Sequence, residues 1–222
     1  MTRKDSRGRC SHMSLEIERK YLDPDFDGIR RRLRETGGVS LGTHFESNRI
    51  FDRAGGGFAC AGFLLRLRTQ EWPDRKRHVL TLKMPSRAGG GPFKVREERE
   101  CVVADAASLR GIFEGLGYVE RARYEKVREE WRLPGALVAL DRVPFALVAE
   151  IEGEPEAIET AERRLHLDKC KTSVKSYHAL HQEWRGARGL PPSLSFVFDE
   201  DERGRLRQAL GLTCGENREE TP

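Results

Sequence analysis

The sequence predicts an α+β fold: a closed eight-stranded antiparallel β-barrel with a charged interior and helices packed on the outside. Three observations support this prediction. Strand-like segments recur along most of the chain, charged residues occupy alternate positions within them, and the helical segments between them carry apolar stripes that need a sheet to cover. If the helices cover the apolar side of the sheet, its charged side turns inward when the sheet closes.

Eight segments have the composition and alternation of strands: 14–21, 45–52, 62–69, 78–84, 94–104, 124–132, 136–143 and 147–153. Capping residues and stop signals predict five helices, which begin near Asp23, Asp105, Pro155, Ser173 and Asp199. The glycine runs at 55–57 and 89–91 lack the form of a phosphate-binding P-loop and are predicted to be loop tips. The segments EIE at 16–18 and EIE at 150–152 are each followed by a helix that contains or begins with proline, as two similar halves of a barrel would be.

The composition indicates a globular, charge-rich protein. Of the 222 residues, 34% are charged and 37% are hydrophobic, and no apolar run approaches the roughly 20 residues of a transmembrane helix. The formal charge is +4, of which about three charges come from the basic residues before position 10. A nucleic-acid-binding protein is expected to keep its basic excess in the folded part. We therefore predict no nucleic-acid partner and no membrane association.

The cysteines and the first residues favour a cytoplasmic protein. Five scattered cysteines show no CxxC or Cys/His spacing, which is typical of a reduced compartment. Residues 1–13 lack the apolar core of a signal peptide, and we predict a disordered basic leader or tag scar there. We assign the barrel domain to residues 14–188 and a C-terminal helical extension and tail to 189–222. The protein is expected to be a monomer or a homodimer.

Charged residues share one face of each predicted strand, because side chains two positions apart in a strand point the same way. A charged face in water explains any single strand. Seven strands with nearly all positions charged, in both signs and rich in arginine, favour a shared interior instead. The residues of this charged face are Glu16, Glu18, Lys20, Arg66, Arg68, Lys83, Arg96, Glu98, Glu100, Lys126, Arg128, Asp141, Glu150 and Glu152.

An interior with buried charges of both signs requires a highly charged ligand, because uncompensated charge is costly to bury. Lysine and arginine suit the oxygens of a polyphosphate, and arginine can bind them in a bidentate way. Carboxylates would repel such a ligand, but they are the hard oxygen ligands that Mg²⁺ or Mn²⁺ prefers. The pattern therefore indicates a metal–phosphate complex inside the barrel.

An ordered series of motifs adds a family resemblance to this interpretation. EIERK at 16–20 matches an ExExK signature, and the series continues through HFESNRIFD (44–52), LLRLR (64–68), LTLKMP (80–85), KVREERE (94–100), YEKVR (124–128), ALDRVP (139–144), AEIEGEP (149–155) and KSYHAL (175–180). In these motifs the chain resembles the CYTH or triphosphate tunnel metalloenzyme superfamily. That superfamily includes class IV adenylate cyclases, thiamine triphosphatases and inorganic triphosphatases.

The resemblance implies roles for the charged residues. Catalytic roles fall on Glu16, Glu18, Lys20 and Asp141. The implied ligands of Mg²⁺ or Mn²⁺ are Glu16, Glu18, Glu98, Asp141, Glu150 and Glu152. The implied substrate-binding residues are Lys20, Arg66, Arg68, Lys83, Arg96, Lys126, Arg128 and, as a lid from the C-terminal helix, Lys175.

The resemblance also implies metal-dependent processing of a triphosphate, with two possible reactions. Attack by water gives a triphosphatase acting on inorganic triphosphate, thiamine triphosphate or a nucleotide, whereas attack by a ribose hydroxyl on ATP gives a class IV adenylate cyclase. Hydrolysis is our working prediction, because cyclisation requires an adenine pocket that no motif indicates. A non-catalytic polyphosphate- or nucleotide-binding module is a third hypothesis. Such a module would not need the metal-binding carboxylates, so the presence of Glu16, Glu18, Glu150 and Glu152 argues against it.

Overall fold

The structure is a computed structural model and describes residues 13–86 and 91–212. The strands in these ranges are β1 (Met13–Leu22), β2 (Val39–Arg53), β3 (Leu64–Glu71), β4 (Lys76–Pro85), β5 (Lys94–Val103), β6 (Tyr118–Leu133), β7 (Ala136–Val143), β8 (Ala146–Gly153) and β9 (Lys171–Ser173). The helices are α1 (Phe26–Glu35), α2 (Gly57–Cys60), α3 (Ala106–Gly115), α4 (Pro155–Leu165), α5 (Tyr177–Gly186) and α6 (Glu200–Ala209).

Eight of the strands close into an antiparallel barrel, which confirms the predicted fold. The order around the wall is β5-β4-β3-β2-β6-β7-β8-β1, and β1 pairs back onto β5. This closing pair begins at Met13↔Arg99 and ends at Glu18↔Lys94. The short strand β9 was not predicted, and it pairs with the last residues of β1.

The main apolar core lies between the outer face of the barrel and two helices. Leu33 of α1 and Ile158 and Leu165 of α4 pack with outward side chains of β7 and β8, such as Val138 and Ile151. Because strand side chains alternate, the residues between these outward positions point into the barrel. The helices therefore cover the apolar face, as predicted, and leave the charged face inside.

The C-terminal segment, which we define as residues 187–212, packs along β6 and reaches Glu71, the last residue of β3. The Phe196 N–H donates to the Arg123 carbonyl at 3.0 Å, and the Glu125 N–H donates to the Phe196 carbonyl at 3.0 Å. Further along, Phe198 packs with Phe45 in a small apolar cluster. The segment is thus bound to the barrel by backbone and side-chain contacts.

Local details differ from the sequence prediction at helix starts and in one glycine run. The first helix is capped by Asp25, two residues after the predicted Asp23. The glycine run at 55–57 opens the one-turn helix α2, because Gly56 adopts a left-handed conformation with φ 75°. Most of the second glycine run, residues 1–12 of the predicted leader at 1–13 and the tail at 213–222 lie outside the described residues, whereas Met13 begins β1. No helix in the described ranges is long and apolar enough to cross a membrane.

Candidate functional site

The barrel encloses a cavity of about 350 Å³, and most of the residues in its wall are charged. Residues from the charged faces of β1, β3, β4, β5, β6 and β8 all reach this space. The charged lining residues are Glu16, Glu18, Lys20, Arg66, Arg68, Arg77, Lys83, Lys94, Glu98, Glu100, Lys126, Arg128, Glu130, Glu150 and Glu152. The predicted rows of charge therefore converge on one interior.

One part of the wall, the acidic group, consists of Glu16, Glu18, Glu98 and Glu152. Burial would raise the pKa of Glu16, but Lys83 and a hydrogen bond with Glu98 lower it well below its usual value. Burial and the same hydrogen bond raise the pKa of Glu98 to about 7. Partial desolvation and the charges of Glu16 and Glu18 raise the pKa of Glu152 to about 7 as well. The acidic group thus places four carboxyl groups in one part of the wall, and Glu98 and Glu152 hold their protons more tightly than an isolated glutamate does.

Lysines contact three members of the acidic group. The Lys83 Nζ lies 2.8 Å from Glu16 Oε2 and also contacts Glu98. Lys94 contacts Glu18 in the same way. Lys20 contacts Glu18 and lies 2.9 Å from Glu150.

A second part of the wall, the basic group, consists of Arg66, Arg68, Lys126 and Arg128. Behind two of these cations lies Asp141, which is 0% exposed. It accepts hydrogen bonds from Lys126 Nζ at 3.0 Å and from Arg128 Nε at 2.7 Å. Asp141 therefore fixes the direction in which both cations point.

Arg66 and Arg68 are oriented by other neighbours. Arg68 Nε donates to Asn48 Oδ1 at 2.9 Å and lies 3.3 Å from Glu46 Oε2. Burial would raise the pKa of Glu46, but Arg68 and Lys126 hold it well below its usual value. The Nε of Arg66 is buried and has no hydrogen-bond partner among the described residues. An unpaired buried donor of this kind suits an anionic ligand.

Strand β2 contributes buried polar residues that were not predicted as part of the site. His44, Glu46 and Asn48 are fully buried behind the basic group. They occupy alternate positions of a predicted strand, so their shared face was available as a signal. It was overlooked because only one of the three residues carries a permanent charge.

Tyrosines of the wall were also missed. Tyr124 lines the cavity two residues before Lys126, on the same face of β6. Tyr177, at the start of α5, lines it too and donates a hydrogen bond to Asp141 Oδ2 at 2.6 Å. Alternation indicates the position of Tyr124, whereas no sequence pattern places a helix residue at the barrel opening.

Two of the predicted substrate-binding residues lie outside the cavity wall. Arg96 Nη1 donates to the Gly62 carbonyl at 3.2 Å. Lys175 is half-exposed and pairs with Glu183. A role for Lys175 as a lid therefore requires its release from Glu183.

The carboxylates of the cavity fit a hard divalent cation in their chemistry. Their donors are all oxygens, and burial next to other carboxyls raises the pKa values of Glu98 and Glu152. Among residues 13–86 and 91–212, however, no three acidic, histidine or cysteine side chains already form a metal-ligand cluster. Binding a cation would thus require the lysines between the glutamates to move toward another anion.

Known proteins share the sequence pattern and the fold of this chain. The CYTH domain matches residues 14–174. The PH1819 protein of Pyrococcus horikoshii OT3 is 26% identical, with a TM-score of 0.64, over 76% of this chain and 98% of that one. A candidate adenylate cyclase of Vibrio parahaemolyticus is 17% identical, with a TM-score of 0.61, over 77% of this chain and 99% of that one.

A third solved structure is that of HpAC1 from Hippeastrum, a candidate adenylyl cyclase described as having a dominant triphosphatase activity. It is 22% identical, with a TM-score of 0.55, over 81% of this chain and 98% of that one. At 17% and 22% identity, the Vibrio parahaemolyticus protein and HpAC1 show only that this chain shares their fold. A comparison with curated proteins gave no significant match.

Proposed function

This chain belongs to the CYTH domain family, and we propose that it hydrolyses a small triphosphate with the help of a bound divalent metal. The observation that carries the proposal is the presence of an acidic group and a basic group in the wall of one barrel cavity. A triphosphate alone matches the basic group, and a metal ion alone matches the acidic group. Only a metal–triphosphate complex matches both.

The basic group binds and orients the phosphates. Arg66 and Arg68 of β3 offer planar guanidinium donors, and Lys126 and Arg128 add charge from β6. Asp141 and Glu46 keep these side chains in place before substrate enters. Preorganised cations stabilise the charge that develops during phosphoryl transfer without having to reorganise at that moment.

The acidic group, together with the neighbouring Glu150, binds the metal. When held by Glu16, Glu18, Glu98, Glu150 and Glu152, a divalent cation supplies charge neutralisation at the reacting phosphate and makes nearby water more acidic. Lys20 sits between Glu18 and Glu150. Burial would lower its pKa, but Glu150 and Glu18 raise it well above the usual value. Lys20 therefore stays protonated and can contact a non-bridging oxygen beside the carboxylates.

Hydrolysis is favoured over cyclisation because the tryptophan of the wall, the largest aromatic ring there, already packs against other side chains. Trp72 lines the cavity, but the ring centre of His44 lies 4.4 Å from that of Trp72. The Arg75 guanidinium carbon lies 4.2 Å from the same ring centre. An adenine would have to displace one of them. The triphosphatase activity described for HpAC1 is consistent with this choice.

A product assay tests the proposal. The protein is incubated separately with tripolyphosphate, thiamine triphosphate and ATP, each with Mg²⁺ or Mn²⁺ and each with EDTA. We expect metal-dependent release of phosphate from at least one of them. Cyclic AMP and pyrophosphate from ATP would identify a cyclase instead, and metal-independent binding without any product would identify a binding module.

A further inference from the structure

Tyr124 is a residue of the cavity wall to which the mechanism above gives no role. It is 7% exposed and lies among the cations of the basic group. The Arg66 Nη1 donates a hydrogen bond to the Tyr124 hydroxyl oxygen at 3.3 Å. Lys126 is two residues further along the same face of β6.

The hydroxyl proton of Tyr124 has no acceptor among the described residues. Because the oxygen accepts from Arg66, the O–H must be directed to another partner. Burial would raise the pKa of Tyr124, but the charges of Arg66, Arg68 and Lys126 lower it. Those cations make the phenol a stronger donor and attract anions to it. A phosphate oxygen meets both requirements.

Phe196 of the C-terminal segment and His178 of α5 hold the ring of Tyr124 in the wall. Phe196 stacks on it with ring centres 5.1 Å apart, and His178 packs edge-on at 5.2 Å. The backbone of Phe196 is fixed next to Tyr124 by its hydrogen bonds to Arg123 and Glu125. Since the CYTH match ends at residue 174, this support comes from a part of the chain outside the matched domain.

We propose that the Tyr124 hydroxyl donates a hydrogen bond to a non-bridging oxygen of the bound triphosphate, and that Phe196 is the positioning residue that holds the tyrosine for this contact. The proposal rests on the proposed function, because it assumes a triphosphate in the cavity. It assigns a function to the C-terminal segment: this segment completes the phosphate-binding wall from outside the barrel.

Calorimetric titration with tripolyphosphate in EDTA tests the contact with Tyr124. Tyr124→Phe keeps the ring and removes the hydroxyl, so we expect about a tenfold higher Kd, as for loss of one hydrogen bond to a charged group. Tyr21→Phe is the matched control, because the Tyr21 hydroxyl donates to Glu162 outside the cavity. Its Kd should equal that of the wild type.

A Kd of Tyr124→Phe within twofold of the wild type would overturn the proposal. This result is distinguishable from failure of the proposed function. If the wild type binds tripolyphosphate but hydrolyses no triphosphate, the enzymatic proposal fails while the contact can still be measured. If the wild type binds no tripolyphosphate, either in EDTA or with Mg²⁺, both proposals fail.

A double-mutant cycle tests the positioning role of Phe196. Phe196→Leu should raise the Kd about threefold in the wild type and have no further effect in the Tyr124→Phe background, because the contact it supports is already lost. Phe198→Leu, which disturbs the packing of the same segment on Phe45, should lower the Tm without changing the Kd.

Phe196→Tyr retains the stacked ring, so its Kd should equal that of the wild type, unlike the Kd of Phe196→Leu. This comparison distinguishes loss of tyrosine positioning from a general effect on folding. Equal effects of Phe196→Leu on Kd in the presence and absence of the Tyr124 hydroxyl would contradict the positioning role. If Phe196→Leu does not fold, the comparison of Phe196→Tyr with the wild type still applies. A raised Kd in that variant would count against the proposal.

Discussion

Glu16, Lys83 and Glu98 illustrate how single residues of the cavity depend on one another. Lys83 contacts both carboxyls, and a hydrogen bond links the two carboxyls as well. The hydrogen bond between the two carboxyls and the Lys83 ammonium keep Glu16 ionised. Burial and the same hydrogen bond raise the pKa of Glu98 to about 7. Such opposite shifts on neighbouring carboxyls are common at sites that bind a charged ligand.

Replacement of Glu98 by glutamine tests this arrangement through stability. The folded-state pKa of about 7 exceeds the ordinary value of 4.5, so the folded protein binds the proton more tightly. Stability from this group is therefore complete below pH 4.5 and is lost as the pH rises through 7. Without metal, Glu98→Gln should raise the Tm at pH 8 and change it little at pH 5.

Thermal unfolding of both proteins in EDTA across this pH range provides the measurement. Glu159→Gln, on the exposed side of α4, serves as the control and should show no pH-dependent difference. A lower Tm of Glu98→Gln at pH 8 would show that the ionised carboxylate stabilises the fold, contrary to our account.

Glu18 is the residue whose replacement bears most directly on catalysis. It is buried between Lys20 and Lys94, and Lys20 retains Glu150 if Glu18 is neutralised. We expect Glu18→Gln to fold but to lose at least a hundredfold in kcat, since a metal ligand is removed. Steady-state kinetics and circular dichroism would measure both effects. Unchanged turnover would remove Glu18 from the metal site.

For single residues, strand alternation alone was enough to predict which charged side chains point into the barrel. Arg66, Arg68, Lys83 and Lys126 all line the cavity as expected. Alternation could not reveal that Arg96 bonds to a loop carbonyl. Such partners depend on contacts between segments that are distant in the chain.

At the scale of elements, the pairing of β1 with β8 unites the two EIE segments. Glu18 lies opposite Glu152, and Lys20 lies opposite Glu150. The sequence predicted both strands and their charged faces. It could not predict their register, because register depends on the closing of the whole sheet. The three-residue strand β9 is too short to carry a recognisable pattern of its own.

Asp141 connects β7 with β6 and α5 through Lys126, Arg128 and Tyr177. Asp141→Asn would leave two buried cations without their shared countercharge, which costs about 3 kcal/mol or more. We expect a lower Tm and at least a tenfold higher Kd for tripolyphosphate in EDTA. The free-enzyme affinity for Mn²⁺ should change less than twofold if Asp141 orients cations.

Mn²⁺ binding measured by electron paramagnetic resonance, together with the calorimetric Kd, decides between the two roles of Asp141. Loss of Mn²⁺ affinity with an unchanged Kd for tripolyphosphate would support the metal-ligand role implied by the family resemblance. It would contradict the orienting role that its three buried donors indicate.

For the whole molecule, the ion pairs that line the cavity connect metal binding with phosphate binding. A triphosphate that captures the lysines leaves the glutamates unpaired, and a metal that captures the glutamates leaves the lysines unpaired. We therefore expect Mg²⁺ and tripolyphosphate together to raise the Tm by more than the sum of their separate effects. Differential scanning fluorimetry measures this directly, and strictly additive shifts would argue against a shared site.

The central claim is that the charged rows of the barrel converge on a cavity that binds a metal–triphosphate complex. The most direct test is a crystal structure of the Glu18→Gln variant with tripolyphosphate and Mn²⁺. We predict phosphate density between Arg66, Arg68, Lys126 and Arg128, and anomalous density for the metal beside Glu16 and Glu152. Phosphate and metal bound only on the outer surface, with the lysine–glutamate pairs of the cavity intact, would contradict the account.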